Sequence, residues 1–206
     1  MKKFVKLFLL LFLFFCFLCV SIFSYADTVS QDLANNFFRL HIIANSNSDS
    51  DQELKLKIRD NIIAYIKNLD YKNLSKEQII SLTKNNLTVI EKIVNDTILE
   101  NGFDYSYSLN IGNYYFPTKY YGNISLPAGN YDALKIEIGN AEGKNWWCSL
   151  FPPLCFTDIS SGIIDESSSE ILKNNLTDDE YLLISDNNET IKLKFKLIEL
   201  LSTTNK

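Results

Sequence analysis

FFRLHIIANSNSDSDQELKLKIRD, residues 37–60, changes its hydrophobic period partway along. Over residues 37–44, Phe38, Leu40, Ile42 and Ala44 fall on one side, with Arg39 and His41 on the other. That is the repeat of a strand. From residue 51 to residue 69 the repeat becomes helical, with Leu54, Ile58, Ile62, Tyr65, Ile66 and Leu69 sharing a stripe. Asp51 and Glu53 stand at its start, where the helix dipole favours acids. The joint between them, NSNSDSDQE (residues 45–53), alternates oxygen-bearing side chains as a calcium loop does. An EF-hand loop counted from Asn45 needs Gly at its sixth position and Glu at its twelfth, where this chain has Ser50 and Leu56. The joint therefore reads as a polar strand-to-helix connection whose Ser and Asp side chains cap the helix.

Working outward, the strand period returns three times. Residues 103–111 place Phe103, Tyr105, Tyr107, Leu109 and Ile111 on one face; residues 134–138 oppose Leu134, Ile136 and Ile138 to Lys135 and Glu137. Residues 191–197 oppose Ile191, Leu193, Phe195 and Leu197 to three lysines. One face dry and one wet is the habit of antiparallel sheets. Leu126-Pro127-Ala128-Gly129 is a turn signal. A second helix opens at Ser75-Lys76-Glu77-Gln78, a capping-box pattern, runs through Leu87, Ile90, Val94 and Ile98, and stops at Asn101-Gly102. Residues 163–172 and 178–183 are weaker helical candidates. The expected fold class is α+β: a single domain with a mostly antiparallel sheet and helices packed on one face.

Residues 1–26 stand apart as a signal peptide or an N-terminal membrane anchor, followed by one exported domain over residues 27–206. A basic start precedes the unbroken apolar run 7–20, and Ser24-Tyr25-Ala26 offers small residues to a signal peptidase. The same run is about the ~20 residues a span needs, so both readings stay open. Removing the leader's three lysines takes the formal charge from −5 to −8. An acidic body argues against nucleic acid and against anionic lipid as partners, leaving the leader as the only expected membrane contact. With 13 % aromatic residues, the remainder can bury a normal core.

The densest chemistry is NWWCSLFPPLCF, residues 145–156. Cys148 and Cys155 are the only cysteines outside the leader. In an exported protein they are candidates for a disulfide, worth roughly 2–2.5 kcal/mol by loop closure. Alternation puts Trp146, Cys148 and Leu150 on one face and Trp147, Ser149 and Phe151 on the other. Either the strand is buried on both sides or one tryptophan serves a contact surface. His41, the sole histidine, could pair with a cysteine nucleophile in a Cys–His hydrolase, but no His/Cys spacing fits a metal site. No catalytic set, metal or cofactor is expected. The candidate partner-binding residues are Arg39, His41, Asn45, Ser46, Trp146 and Trp147.

Three segments together carry a resemblance: residues 38–60, YFPTKYYGNISLPAGNYDALKIEIG at 115–139, and NWWCSLFPPLCF. LKFKLIE (193–199) extends it. They resemble stage II sporulation protein R of endospore-forming bacteria; Asn47, where that family more often has an acid, is a mild departure. The resemblance implies a protein made in the forespore and exported into the space between the forespore and mother-cell membranes. There it would trigger a membrane-embedded aspartic protease of the mother cell, which matures the precursor of sigma-E. It implies a signalling ligand and supplies no catalytic residues. A Cys–His hydrolase and a passive envelope protein are the competing readings.

Overall fold

The computed structural model describes residues 2–69, 74–155 and 166–185. In chain order the elements are α1 (Lys2–Ala34), β1 (Phe38–Ile43), α2 (Asp49–Lys67), α3 (Lys76–Asn85), α4 (Leu87–Glu100), β2 (Tyr107–Phe116), β3 (Lys119–Tyr121), β4 (Ile124–Leu126), β5 (Gly129–Ile138), β6 (Asn145–Phe151), α5 (Glu166–Asn175) and α6 (Asp178–Ser185). The domain is α+β.

β1 forms where the alternation demands it and lies inside a four-stranded sheet of order β2-β5-β1-β6. It pairs antiparallel with β6, setting Leu40 beside Cys148 and His41 beside Trp147. With β5 it pairs parallel, Leu40 beside Leu134 and Ile42 beside Ile136. β2 flanks β5 antiparallel from Tyr107–Ile138 to Phe116–Gly129. The sheet is thus mixed, antiparallel in two of its three pairings with a parallel pair at its centre. A parallel neighbour requires a long crossover, and the chain supplies one through α2, α3, α4, β2 and the β3–β4 hairpin.

Leu40, Ile42, Leu134 and Ile136 face α2–α4, whose Leu54, Ile58, Ile62, Ile90, Val94 and Ile98 complete a dry core. At the edge of this layer Lys76 of α3 pairs with Asp132 at 2.7 Å. The Ser75 capping box is present, with Gln78 answering it. The helix expected from residue 75 to residue 100 is two helices, because Asn86 leaves helical geometry at φ −104°, ψ 11°. Its amide donates to the Leu82 carbonyl and its Oδ1 accepts from the Tyr65 hydroxyl at 2.7 Å, which fixes the corner. β2 starts at Tyr107 rather than Phe103 and runs on to Phe116. The segment 126–129 links the β3–β4 sheet to β5. The expected strand 191–197 and the start of the helix expected at 163–172 lie outside the described residues.

α1 runs past Ala26 to Ala34 without a break. Its segment Lys3–Ser21 is apolar, long enough to cross a membrane and unburied. Its last turns belong to the domain: Leu33 and Ala34 are buried, and Ser30 Oγ donates to the Ala128 carbonyl at 3.0 Å.

The NSNS joint is a clasp. Asn45 Oδ1 accepts from the Asn140 amide at 2.9 Å, while its Nδ2 donates to Asp51 Oδ2 at 2.9 Å. Ser46 Oγ reaches the same oxygen at 2.6 Å, and Tyr105 donates to Asp51 Oδ1 at 3.0 Å. Asn47 Oδ1 accepts from the Lys144 amide. These bonds join the end of β1, the start of α2 and the β5–β6 loop. Burial opposes the Asp51 charge, but the bonds from Ser46, Asn45, Tyr105 and Ser48 outweigh it and hold the carboxyl below its usual range. Gly139 has φ +56°, and a Cβ there would run into the Asn45 side chain. Gly139→Ala is expected to lose about 1–2 kcal/mol from backbone conformation alone, and more from displacing Asn45. Asn45→Ala is expected to lose about 1–3 kcal/mol by stranding its partners. Urea denaturation of the double variant should show clearly less than the summed loss. Strict additivity would remove the clasp from the account.

Candidate functional site

The polar face of β1 is not wet. Arg39 is 0 % exposed, its guanidinium 4.1 Å from the centroid of Phe116 and 4.8 Å from that of Tyr131. Nη2 donates to the Tyr121 hydroxyl at 2.6 Å and Nε to the Cys148 carbonyl at 3.4 Å. Tyr121 in turn donates to the Trp147 carbonyl at 3.2 Å. Among the described residues Nη1 has no hydrogen-bond partner, and no carboxylate pairs with the cation. Burial pushes the Tyr121 and Tyr131 phenols up, with the Arg39 charge opposing.

Two positions along β1, His41 stacks on Trp147 with ring centroids 3.6 Å apart and planes 18° from parallel. Phe116 meets both rings edge-on. His41 Nε2 lies 2.7 Å from Asn145 Oδ1, while Nδ1 is buried without a partner among the described residues. Protonation would place a second N–H there with nothing to accept it. Burial, aided by the Lys135 charge and opposed by the Asn145 bond, lowers the His41 pKa to about 4. The imidazole is neutral at physiological pH.

Trp146 lies on the opposite face of β6, half-buried, with the Arg59 guanidinium 4.1 Å above its ring. β6 is covered on both faces over Cys148–Phe151, while at its start each tryptophan is half-buried under its own cap. Cys148 and Cys155 form a disulfide with Cα atoms 5.1 Å apart, and the intervening Phe151–Pro152 peptide is cis. Both sulfurs are consumed, so among the described residues the free thiols are Cys16 and Cys19 of α1, and His41 has no thiolate partner. No group of His, Cys, Asp or Glu suited to a metal occurs among the described residues.

The expected contact residues thus separate. Arg39, His41 and Trp147 share one face of the sheet; Trp146 is on the other; Asn45 and Ser46 belong to the clasp. Phe116, Tyr121 and Tyr131, which make the Arg39 cage, are absent from the sequence-derived set. The dense aromatics of YYFPTKYY (114–121) are the one local signal for them.

Arg39→Ala is expected to cost about 3–5 kcal/mol, by emptying a space between two rings. Arg39→Met refills that space without charge and should stay within about 1.5 kcal/mol of the native domain. If both variants are equally unstable in urea, the charge rather than the volume holds the cage. His41 has a folded pKa below its unfolded value near 6.5, so the folded state binds fewer protons between those values. Its contribution is complete above pH 6.5 and drains away as pH falls toward 4. Between pH 7 and pH 4.5 the native domain should lose roughly 2–3 kcal/mol more than His41→Gln does. Parallel pH profiles would show that His41 titrates normally.

Residues 34–161 match the family model for stage II sporulation protein R. The chain is 40 % identical over 124 residues to stage II sporulation protein R of Bacillus subtilis (strain 168), an alignment covering 60 % of this chain and 55 % of that protein. It thus spans about half the length of the curated relative it matches. No solved structure matches the chain. The matched region takes in β1 with its clasp, the aromatic cage and the disulfide strand, and on that ground the chain belongs to the stage II sporulation protein R family.

Proposed function

We propose that this protein is an exported sporulation signal that acts by binding rather than by catalysis. In this reading it is made in the forespore and reaches the space between the two membranes. There it activates a membrane-embedded aspartic protease of the mother cell, which matures the sigma-E precursor. The observation that carries the reading is membership of a sporulation family, combined with an apolar N-terminal helix that fits export. The oxidised cysteine pair suits an extracytoplasmic location.

Activation by a ligand requires preferential binding to the active arrangement of the protease; equal affinity for both arrangements shifts nothing. The surface we assign to that contact is centred on Trp147. Around it are exposed Asn145 and Lys119, whose Nζ lies 5.9 Å from the indole centroid. Arg39 and His41 serve from beneath, fixing the strand and the indole plane. Trp146 with Arg59 forms a second candidate patch, and Asn45 and Ser46 hold the adjoining loop.

The test uses a non-sporulating host carrying the protease and the sigma-factor precursor, with this chain exported. Processing should appear only when the domain is present outside the membrane. Trp147→Ala, folded and exported at the native level, should reduce processing at least tenfold, about 1.4 kcal/mol of lost preference. Native processing by this variant would move the contact elsewhere. Absence of processing with the native chain, the protease shown competent, would leave a passive envelope protein.

A further inference from the structure

Among the described residues, Lys55 of α2 is a buried cation with no carboxylate for a partner. It is 4 % exposed, and its Nζ donates to Gln52 Oε1 at 2.7 Å and to the Lys144 carbonyl at 2.9 Å. Burial lowers its pKa, and the charges of Arg59 and Lys144 lower it further. No ion pair among the described residues involves Lys55 or the exposed Lys144. The neighbouring acids of α2 are committed elsewhere: Asp51 to the clasp, Glu53 to Lys57 at 2.9 Å and Asp60 to Arg59 at 2.6 Å.

Helix and strand contribute to this corner in matching pairs. Lys55 and Arg59, four apart on α2, share one face of the helix. Lys144 and Trp146, two apart where β6 begins, share one side of the strand. Lys55 meets the Lys144 carbonyl, and the Arg59 guanidinium lies 4.1 Å from the Trp146 ring centroid. The hydrogen-bonding capacity left over belongs to donors. Trp146 Nε1 is buried without a partner among the described residues. The nearby acceptors are already engaged, Gln52 Oε1 and the Lys144 carbonyl by Lys55, and the Ser46 carbonyl by Gln52 Nε2 at 2.8 Å.

We infer that Lys55, Arg59, Lys144 and Trp146 form a docking site for an acidic, carboxylate-bearing segment of a protein partner. The inference rests on the reading of this domain as a ligand that acts by binding, and it supplies the chemistry of one contact. Donors and uncountered positive charge call for an anionic acceptor. Two lysines on an acidic domain are too few to hold a nucleic acid or an anionic bilayer, but they match one or two side-chain carboxylates. The half-buried tryptophan under an arginine adds the kind of centre on which protein interfaces concentrate their energy. Placement agrees with such a partner. α1 enters at the start of β1, whereas the site adjoins the end of β1, where Ile43 pairs with Asn145, about 17 Å of strand away.

The test labels the tryptophan nitrogens of the full chain isotopically, holds it in neutral detergent and titrates it with an acetylated, amidated tetraglutamate peptide. The indole N–H resonance of Trp146, assigned by its loss in Trp146→Phe, should move with the peptide. A tetraglutamine peptide on the native chain, and tetraglutamate on Lys144→Glu, should each bind about tenfold more weakly. Lys144→Glu keeps both backbone bonds of residue 144 and sets an acid near Lys55, so it should resist urea at least as well as the native chain. Its lost binding is then not lost folding. An unmoved resonance, equal binding of the two peptides, or full binding by Lys144→Glu overturns the inference. A resonance that ignores the peptide and moves with added phosphatidylglycerol overturns it in favour of a lipid surface. In the processing host, Lys144→Glu should lower processing about tenfold, while Lys84→Glu, the same charge change at an exposed position of α3, should leave it native. Native processing by Lys144→Glu overturns the inference and spares the signalling reading. Peptide binding by a native chain that drives no processing sustains the carboxylate site and fails the signalling reading instead.

Discussion

The guanidinium of Arg39 is where the strands of this domain converge. It projects from β1 and touches a ring from β2, a hydroxyl from β3, a ring from β5 and a carbonyl from β6. Desolvating a cation costs several kcal/mol after relaxation. Two ring contacts return about 2 kcal/mol each when dry, and a charged hydrogen bond roughly 1.5–3 kcal/mol. The terms nearly cancel, so the charge of Arg39 adds little net stability beyond the volume its side chain fills. What it adds is geometry: moving β1 by one residue would bring Phe38 or Leu40 under rings shaped around a planar cation. The same arrangement explains the neutral His41, which sits two residues along the strand in the shadow of the same aromatic cover.

The clasp performs a parallel task at the end of β1. Parallel pairing of β1 and β5 leaves the end of one near the end of the other, so the loops after them, 44–48 and 139–144, run side by side. Two such loops would expose unpaired backbone groups to each other. Instead Ala44 and Asn45 carbonyls accept from the Gly143 and Glu142 amides, and Asn45 and Asn47 side chains accept from Asn140 and Lys144. Asp51 gathers the remaining donors and begins α2 at once. A single polar run thus serves as strand exit, loop lock and helix start, which accounts for its oxygen-rich spelling without a metal.

Features that depend on neighbours in the chain were legible in the sequence. The β1 alternation, the Ser75 capping box, the helix stop at Asn101-Gly102 and the Cys148–Cys155 pairing all stand in the structure. Alternation reports that a strand has two unlike faces, but it carries no sign of strand direction, so the parallel β1–β5 pair was invisible. Nor does it tell a wet polar face from a polar face sealed by aromatics, which is why Arg39 reads as a surface residue and is not one. The break at Asn86 escaped because the apolar stripe continues across it; a side-chain hydrogen bond from Tyr65, distant in sequence, turns the chain there. β2 starts late because Phe103 and Tyr105, though they alternate correctly, stack on each other with centroids 5.1 Å apart ahead of the strand.

The N-terminal helix ties location to fold. Ser30, Leu33 and Ala34 are seated in the domain, whereas the apolar segment ends at Ser21. Nine residues of helix separate Ser21 from Ser30, a rise of about 13 Å. Ala26 falls inside that interval, so cleavage there would leave every seated residue with the domain. The domain therefore folds around the same helical end whether or not the leader is cut, and the choice between them alters reach instead of structure. Kept, the helix would hold the sheet close to the membrane of origin and raise its effective concentration near that surface. Cut, it would free the domain to cross a gap, at the cost of dilution.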